Sequence, residues 1–158
     1  RMRILLMLVA FLTASYAFAD SNNDDWRKTG SQQEKLDNVV KVIPSTADIM
    51  FQMGERYRNL YWAGKQGKWE FAEYQTEEMQ SLMKKLIITR PKRAATARVF
   101  LLDGFKGFED AIEHKDWGKF ENAFEHMRDR CMACHIQNDH AFVKLNKKPA
   151  KGNSPVLD

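Results

Sequence analysis

Residues 117–135 read WGKFENAFEHMRDRCMACH and contain the only two cysteines of the chain. Within this stretch, apolar residues and cysteines recur at steps of three, four, three, four and three: Trp117, Phe120, Phe124, Met127, Cys131 and Cys134. Such steps place side chains on one face of an α-helix. The pattern predicts a helix with Asp116 as its N-cap, whose apolar face packs into a core and carries both cysteines inward.

Three earlier stretches predict helices of the same amphipathic kind. In the first, Ser45 caps the helix and Asp48 completes a capping box. Its apolar positions are Met50, Met53, Tyr57, Leu60 and Gly64, with Gly64 predicted to close the helix. The second helix is predicted from Trp69 to about Ile88, with an apolar face of Ala72, Met79, Leu82, Met83 and Leu86.

A third helix is predicted to begin at Pro91, which is tolerated in a first helical turn. Its apolar positions are Ala94, Ala97, Leu101, Phe105, Phe108 and Ile112. Four amphipathic helices with short links pack most simply as an antiparallel bundle. The sequence therefore predicts an all-α, antiparallel four-helix bundle at residues 44–145, after a polar segment at 20–43 and before a flexible polar tail at 146–158.

The first nineteen residues have the pattern of a secretory signal peptide. Arg1 and Arg3 precede an apolar run, and Ala17-Phe18-Ala19 is a small-x-small cleavage site. The alternative is a membrane anchor, but the apolar run is shorter than the roughly 20 residues that span a bilayer. We expect cleavage after Ala19, location in the periplasm and no stable membrane insertion.

Charge gives little support for nucleic-acid binding. The chain has 25 Lys and Arg residues against 21 Asp and Glu residues, a net charge of +4. Loss of Arg1 and Arg3 with the signal peptide leaves 23 against 21, a net charge of +2. Two basic clusters are expected to be solvated or to serve in docking: Lys84, Lys85, Arg90, Lys92 and Arg93, and then Lys144, Lys147, Lys148 and Lys151.

The motif Cys131-Met132-Ala133-Cys134-His135 predicts covalent attachment of one c-type haem. A structural zinc site generally takes four ligands, yet the chain has no second cysteine pair, and the strand-helix context of a thioredoxin-like redox pair is not predicted. On a helix, the residues at i, i+3 and i+4 share a face. The two thiols then add to the vinyl groups of the haem, and the imidazole binds its iron.

The motif lies late in the chain, so a sixth iron ligand is expected upstream, on the first predicted helix. If the last helix runs to about Leu145, His135 lies about 15 Å from its end. Met53 lies about 12 Å and Met50 about 7.5 Å from the start of the first helix. Because these two helices are antiparallel neighbours in such a bundle, Met53 is the preferred ligand and Met50 the second choice.

A signal sequence, four amphipathic helices and a haem motif on the last helix together resemble the class II cytochromes c, the cytochrome c prime family and its low-spin relatives. The resemblance implies a sixth position supplied by the first helix, with Met in electron carriers and an apolar residue in five-coordinate members. The region that matches here contains Met50 and Met53. The family often has an aromatic and a basic residue after the motif, where this chain has Asn138 and Asp139, which indicates a divergent branch.

We therefore expect a monohaem electron carrier that exchanges single electrons with redox partner proteins. The alternatives are a five-coordinate protein that binds nitric oxide or carbon monoxide, and a cytochrome subunit of a larger redox enzyme; a homodimer is also compatible with the pattern. No acid-base pair indicates catalysis. Arg56 and Arg130 are candidates to pair with haem propionates. His126 and His140 are expected at the surface or the haem edge.

Overall fold

The computed structural model describes residues 25–152, and the predicted signal peptide lies outside them. Over this range the chain is all-α, as the sequence predicts, with seven α-helices, one 3₁₀ turn and no strand. The helices are α1 Trp26–Thr29, α2 Gln32–Val42, α3 Thr46–Lys65, α4 Trp69–Thr89, α5 Ala94–Asp103, α6 Phe108–Glu113 and α7 Trp117–Gln137. Among the described residues, no helix combines the length and the apolar character that crossing a bilayer requires.

Helices α1 and α2 belong to a compact unit that ends at Val42, and α3 to α7 belong to a second unit that begins at Ile43. Helix α2 lies within residues 20–43, which are predicted only as a polar segment, and none of its residues is buried. The signal that was missed is a Ser followed three residues later by a Glu, a pattern typical of a helix start. In the structure the backbone N–H of Glu34 donates to the hydroxyl of Ser31.

Helix α3 begins as predicted. The hydroxyl of Ser45 accepts a hydrogen bond from the Asp48 backbone N–H at 3.2 Å, and the Asp48 carboxylate accepts one from the Ser45 backbone N–H at 2.8 Å. The helix does not end at Gly64 as predicted but runs to Lys65, and Gly67 follows with a φ of +69°. Gly64 is instead a packing residue. A Cβ there would lie 2.3 Å from the ring of Phe120, so only glycine allows that ring to approach the helix.

The core of the second unit forms where α4 packs against α3, α5 and α6, and where α7 packs against α3, α5 and α6. The five positions predicted for the apolar face of α4 are all buried. On α7, Phe120, Phe124 and Met127 are buried, whereas Cys131 and Cys134 are half-buried. The three- and four-residue spacing of apolar residues thus identifies the packed faces of these two helices correctly, and the cysteines lie at the edge of the core.

The predicted third helix is divided in two. A 3₁₀ turn at Pro91–Arg93 leads into α5, and residues 104–107 interrupt the helix before α6. The interruption lies between two glycines: a Cβ at Gly104 would come within 2.7 Å of the Phe100 ring, and Gly107 adopts a φ of +88°. Glycine tolerates this left-handed backbone, and α6 can therefore leave the axis of α5.

Helix α7 ends at Gln137, eight residues before the predicted end at Leu145. The chain turns at Asp139, whose φ is +64°, and residues 143–149 return to α3. Part of the segment predicted as a flexible tail is therefore held in place. The Tyr57 hydroxyl donates to the carbonyl of Asn146 at 2.6 Å, and the indole N–H of Trp62 donates to the carbonyl of Pro149 at 2.9 Å.

Candidate haem-binding site

A cavity of about 370 Å³ with almost entirely apolar walls lies in the second unit and brings together the predicted site residues. Cys131, Cys134 and His135 line it from α7, and Met50 and Met53 line it from α3. The volume lies in the range of cavities that bind small molecules and cofactors. The lining residues from other segments include Met79, Met83, Leu86, Arg93, Thr96, Phe100, Asn138, His140, Val143 and Leu145.

The imidazole of His135 is fixed by a backbone group. Its Nδ1 lies 3.2 Å from the carbonyl oxygen of Val143. A carbonyl oxygen only accepts hydrogen bonds, so Nδ1 carries the proton and Nε2 carries the lone pair. Histidines that ligate metals are usually held in this way, with one ring nitrogen donating and the other free to bind.

The two thiols lie in surroundings that keep them protonated. Burial raises the pKa of Cys131 to about 12, with a smaller contribution from the neighbouring Cys134. Burial also raises the pKa of Cys134, against an opposing effect of hydrogen bonds from Thr96 and Asn138. Reactive cysteines of thioredoxin-like pairs have a lowered pKa. The surroundings of these two thiols act in the opposite direction.

The end of α7 is attached to the start of α5 through the side chain of Asn138. Its amide nitrogen donates to the Thr96 hydroxyl and to the carbonyl of Cys134, both at 2.8 Å. Its amide oxygen accepts a hydrogen bond from the guanidinium of Arg93 at 3.0 Å. These bonds fix the last turn of α7, which carries the second cysteine and the histidine.

Four methionines, not two, line the cavity, because Met79 and Met83 of α4 join Met50 and Met53. The axial estimate that favours Met53 depends on a last helix reaching Leu145, and it no longer holds because α7 ends at Gln137. Burial separates the two residues of α3 instead. Met53 is 7 % exposed and belongs to the core, whereas Met50 is partly buried and packs against it.

The arginines predicted for haem propionates lie elsewhere. Arg56 forms an ion pair with Glu78 at 3.1 Å, Arg130 forms one with Asp103 at 3.3 Å, and neither lines the cavity. Arg93 is the arginine that does. The sequence singles it out only as one member of a basic run, because its place at the cavity depends on the 3₁₀ turn before α5.

The two other histidines considered for the haem edge differ in position. His126 lies 3.0 Å from the carbonyl oxygen of Asp103, away from the cavity. His140 lines the cavity. A last helix reaching Leu145 would contain both His135 and His140, but α7 ends at Gln137, so His140 lies beyond it. Its Nδ1 donates to the carbonyl of Asn138 at 2.6 Å.

No protein-family model, curated protein or solved structure matches the chain.

Proposed function

We propose that this chain is a periplasmic monohaem c-type cytochrome that carries single electrons between redox partner proteins, with its haem in the core of an antiparallel four-helix bundle formed by α3, α4, α5 with α6, and α7. One observation carries the proposal. Two thiols and one imidazole, at the spacing of a haem attachment motif, line the same apolar cavity as methionine thioethers from a different helix. The resemblance to the class II cytochromes c implies such an arrangement.

The donor set fits a haem group. Cys131 and Cys134 would form the two thioether bonds, and Nε2 of His135 would bind the iron. The nearly apolar wall suits a porphyrin face. Arg93 is a cation at the cavity wall and is suited to pair with a propionate carboxylate.

When bound, the haem supplies a one-electron iron couple; the protein supplies ligands that stay in place during the transfer. His135 is fixed by the carbonyl of Val143, and its helix end is fixed by Asn138. Met53, the proposed sixth ligand, lies on α3 and is packed in the hydrophobic core of the second unit. A thioether ligand favours the reduced state and raises the reduction potential. Fixed ligands and an apolar wall keep the structural rearrangement on electron transfer small.

The decisive experiment is production of the full chain in a host that attaches haem to exported proteins. The proposal predicts a coloured protein whose mass exceeds that of the polypeptide by about 616 Da, the mass of one haem. Replacing Cys131 and Cys134 together with Ala removes the added mass after denaturation. His114→Ala is the matched control for His135→Ala, because His114 is exposed and away from the cavity. A colourless wild-type protein without the added mass would refute the proposal.

The absorption spectrum then separates the electron carrier from a five-coordinate gas-binding protein. A low-spin ferric spectrum with a weak band at about 695 nm indicates ligation by Met and supports electron transfer. A high-spin spectrum that changes when carbon monoxide is added to the reduced protein would favour the five-coordinate gas-binding protein over the electron carrier.

A further inference from the structure

Residues 143–149, here called the strap, run along the second unit after the end of α7 and are held by side chains of two helices. From α3, Tyr57 donates to the carbonyl of Asn146 and Trp62 donates to the carbonyl of Pro149. From α7, the guanidinium Nε of Arg128 donates to the carbonyl of Leu145 at 2.8 Å. Pro149 is buried and Leu145 is half-buried, whereas the other residues of the strap are exposed, so hydrogen bonds are the main anchors of the strap.

Two further contacts describe how firmly the strap is held. Tyr57 is 4 % exposed, and burial raises the pKa of its hydroxyl well above the ordinary value of 10.0, so the hydroxyl remains a donor. The strap also returns a bond to α7, because the Leu145 backbone N–H lies 3.4 Å from the sulfur of Met132. Met132 lies inside the haem attachment motif, so strap and motif are directly connected.

The strap contains the group that holds the proposed iron ligand. The carbonyl of Val143, its first residue, accepts the Nδ1 hydrogen bond of His135. A backbone carbonyl has no rotamers of its own, so its position depends on where the strap is anchored. On the N-terminal side, the Val143 backbone N–H donates to the carbonyl of His140 at 2.9 Å. On the C-terminal side, the nearest anchors are at Leu145 and Asn146.

We propose that the strap is a positioning element for His135, and that Tyr57 and Trp62 are positioning residues that act on the haem iron through it. The proposal rests on the proposed function, since it concerns the iron ligand of a bound haem. Hydrogen bonding from Nδ1 makes an imidazole a stronger electron donor, which favours Fe(III). Loosening the strap should therefore shift the couple toward Fe(II).

The test uses the full-length, haem-loaded protein with Tyr57→Phe and Trp62→Phe, singly and together. Both changes remove one donor, keep an aromatic ring and leave the charge unaltered. Tyr57 lines the cavity and Trp62 does not, so Trp62→Phe is the variant that leaves the cavity wall unchanged and must shift the couple in the same direction as the double variant. Tyr74→Phe and Trp117→Phe are the controls, because neither residue makes a hydrogen bond to the strap.

Three measurements give the result. Amide hydrogen exchange of residues 143–148 reports release of the strap, since Pro149 has no amide hydrogen. Proton NMR of the reduced protein reports solvent exchange of the His135 Nδ1–H, and a redox titration reports the iron couple. For the double variant we expect faster exchange at both places and an Fe(II) to Fe(III) ratio about threefold higher at a fixed ambient potential, the effect of weakening one hydrogen bond. The controls should match the wild type.

Two results would overturn the inference. Unchanged amide exchange in the double variant shows that Tyr57 and Trp62 do not hold the strap. Faster amide exchange with an unchanged Nδ1–H and an unchanged couple shows that Tyr57 and Trp62 do not act on His135 through the strap, since Arg128 still holds Leu145 in this variant. Failure of the proposed function is a separate outcome, because the wild-type protein itself would then carry no haem.

Discussion

At the scale of single residues, Asn138 shows how a short side chain determines the geometry of the candidate site. Its amide group joins Arg93 and Thr96 to the last turn of α7. Replacing it leaves the Thr96 hydroxyl and the Cys134 carbonyl without this donor, which is the kind of loss that is costly when groups are partly buried. Asn138 therefore fixes the last turn of α7 through a specific set of hydrogen bonds.

The identity of the sixth ligand is a prediction about one side chain. We expect Met53→Ala to remove the band at about 695 nm and to give a high-spin ferric spectrum, because the iron loses its thioether ligand. Met50→Ala should keep the band. Met79→Ala and Met83→Ala are matched controls that remove a thioether from the same cavity on α4. Loss of the band in Met50→Ala alone would assign the ligand to Met50.

The sequence predicts some residues of the site well and others not at all. Cys131, Cys134 and His135 follow from a motif whose chemistry fixes its spacing. Arg93 and Val143 carry no such signal, because their places depend on the 3₁₀ turn before α5 and on the turn after α7. The pattern also cannot tell a methionine that fills the core from one that lines a cavity, since both occupy the same helical face.

At the scale of helices, α3 combines a start that the sequence predicts with an interior contact that it does not. Ser45 and Asp48 are recognised because a capping box depends on residues three positions apart. The contact of Gly64 with Phe120 joins residues 56 positions apart in the chain, and no local pattern encodes it. Local patterns therefore predict the faces and starts of these helices better than their ends.

Gly64→Ala should lower the free energy of unfolding by about 1–3 kcal/mol, the usual cost of overpacking a core. The added Cβ would lie 2.3 Å from the ring of Phe120, which is fully buried and has little room to move. Gly54→Ala in the same helix, measured before haem attachment because Gly54 lines the cavity, is the control: its Cβ would meet no atom outside its own helix backbone within 4 Å. That variant should be neutral or more stable by about 0.5–1 kcal/mol. Urea denaturation measures both, and equal stability of the two variants would contradict the prediction.

The capping box at the start of α3 makes stability depend on acid pH. Hydrogen bonds from the side chain and then the backbone of Ser45 hold the pKa of Asp48 below its ordinary value of 3.8. The ionised carboxylate therefore stabilises the folded state fully above pH 3.8, and this contribution disappears as the pH falls through the lowered pKa. We expect the wild type to be more stable than Asp48→Asn at neutral pH.

Denaturation of both proteins from neutral to strongly acid pH tests this dependence. The difference between them should shrink as the pH falls through the acid range. Glu77→Gln, on the exposed face of α4, is the control for removal of an acidic charge. A difference between wild type and Asp48→Asn that is constant with pH would show that the carboxylate charge plays no part.

At the scale of the whole molecule, the proposed function makes the position of surface charges relevant. Lys144 is exposed and lies between Val143 and Leu145, both of which line the cavity. A cation beside a haem held in this cavity would attract an anionic oxidant or an acidic partner and raise the rate of encounter. This effect should weaken with added salt, because the Debye length falls to about 3 Å at 1 M.

We expect Lys144→Glu to slow oxidation of the reduced protein by ferricyanide about threefold at low ionic strength, with little difference in about 1 M salt. The control is Lys119→Glu, which makes the same change of charge sixteen residues before His135 on α7, about 24 Å along the helix axis. Its ion pair with Asp110 is exposed, so its loss should cost little stability. Stopped-flow kinetics measures both rates. Equal slowing by the two variants would show that the rate depends on net charge and not on the position of Lys144.

The burial of the two thiols constrains the order of events during maturation. The wall contributed by α3, α4 and α5 is synthesised before Cys131 emerges, and folding around an empty cavity would leave the thiol protonated and half-buried. If the proposed function holds, an enzyme that attaches haem would reach both sulfurs more easily while α7 is still open. Haem delivery would then compete with collapse of the polypeptide, and a slow supply of haem should yield folded molecules that are poorly rescued by adding it later.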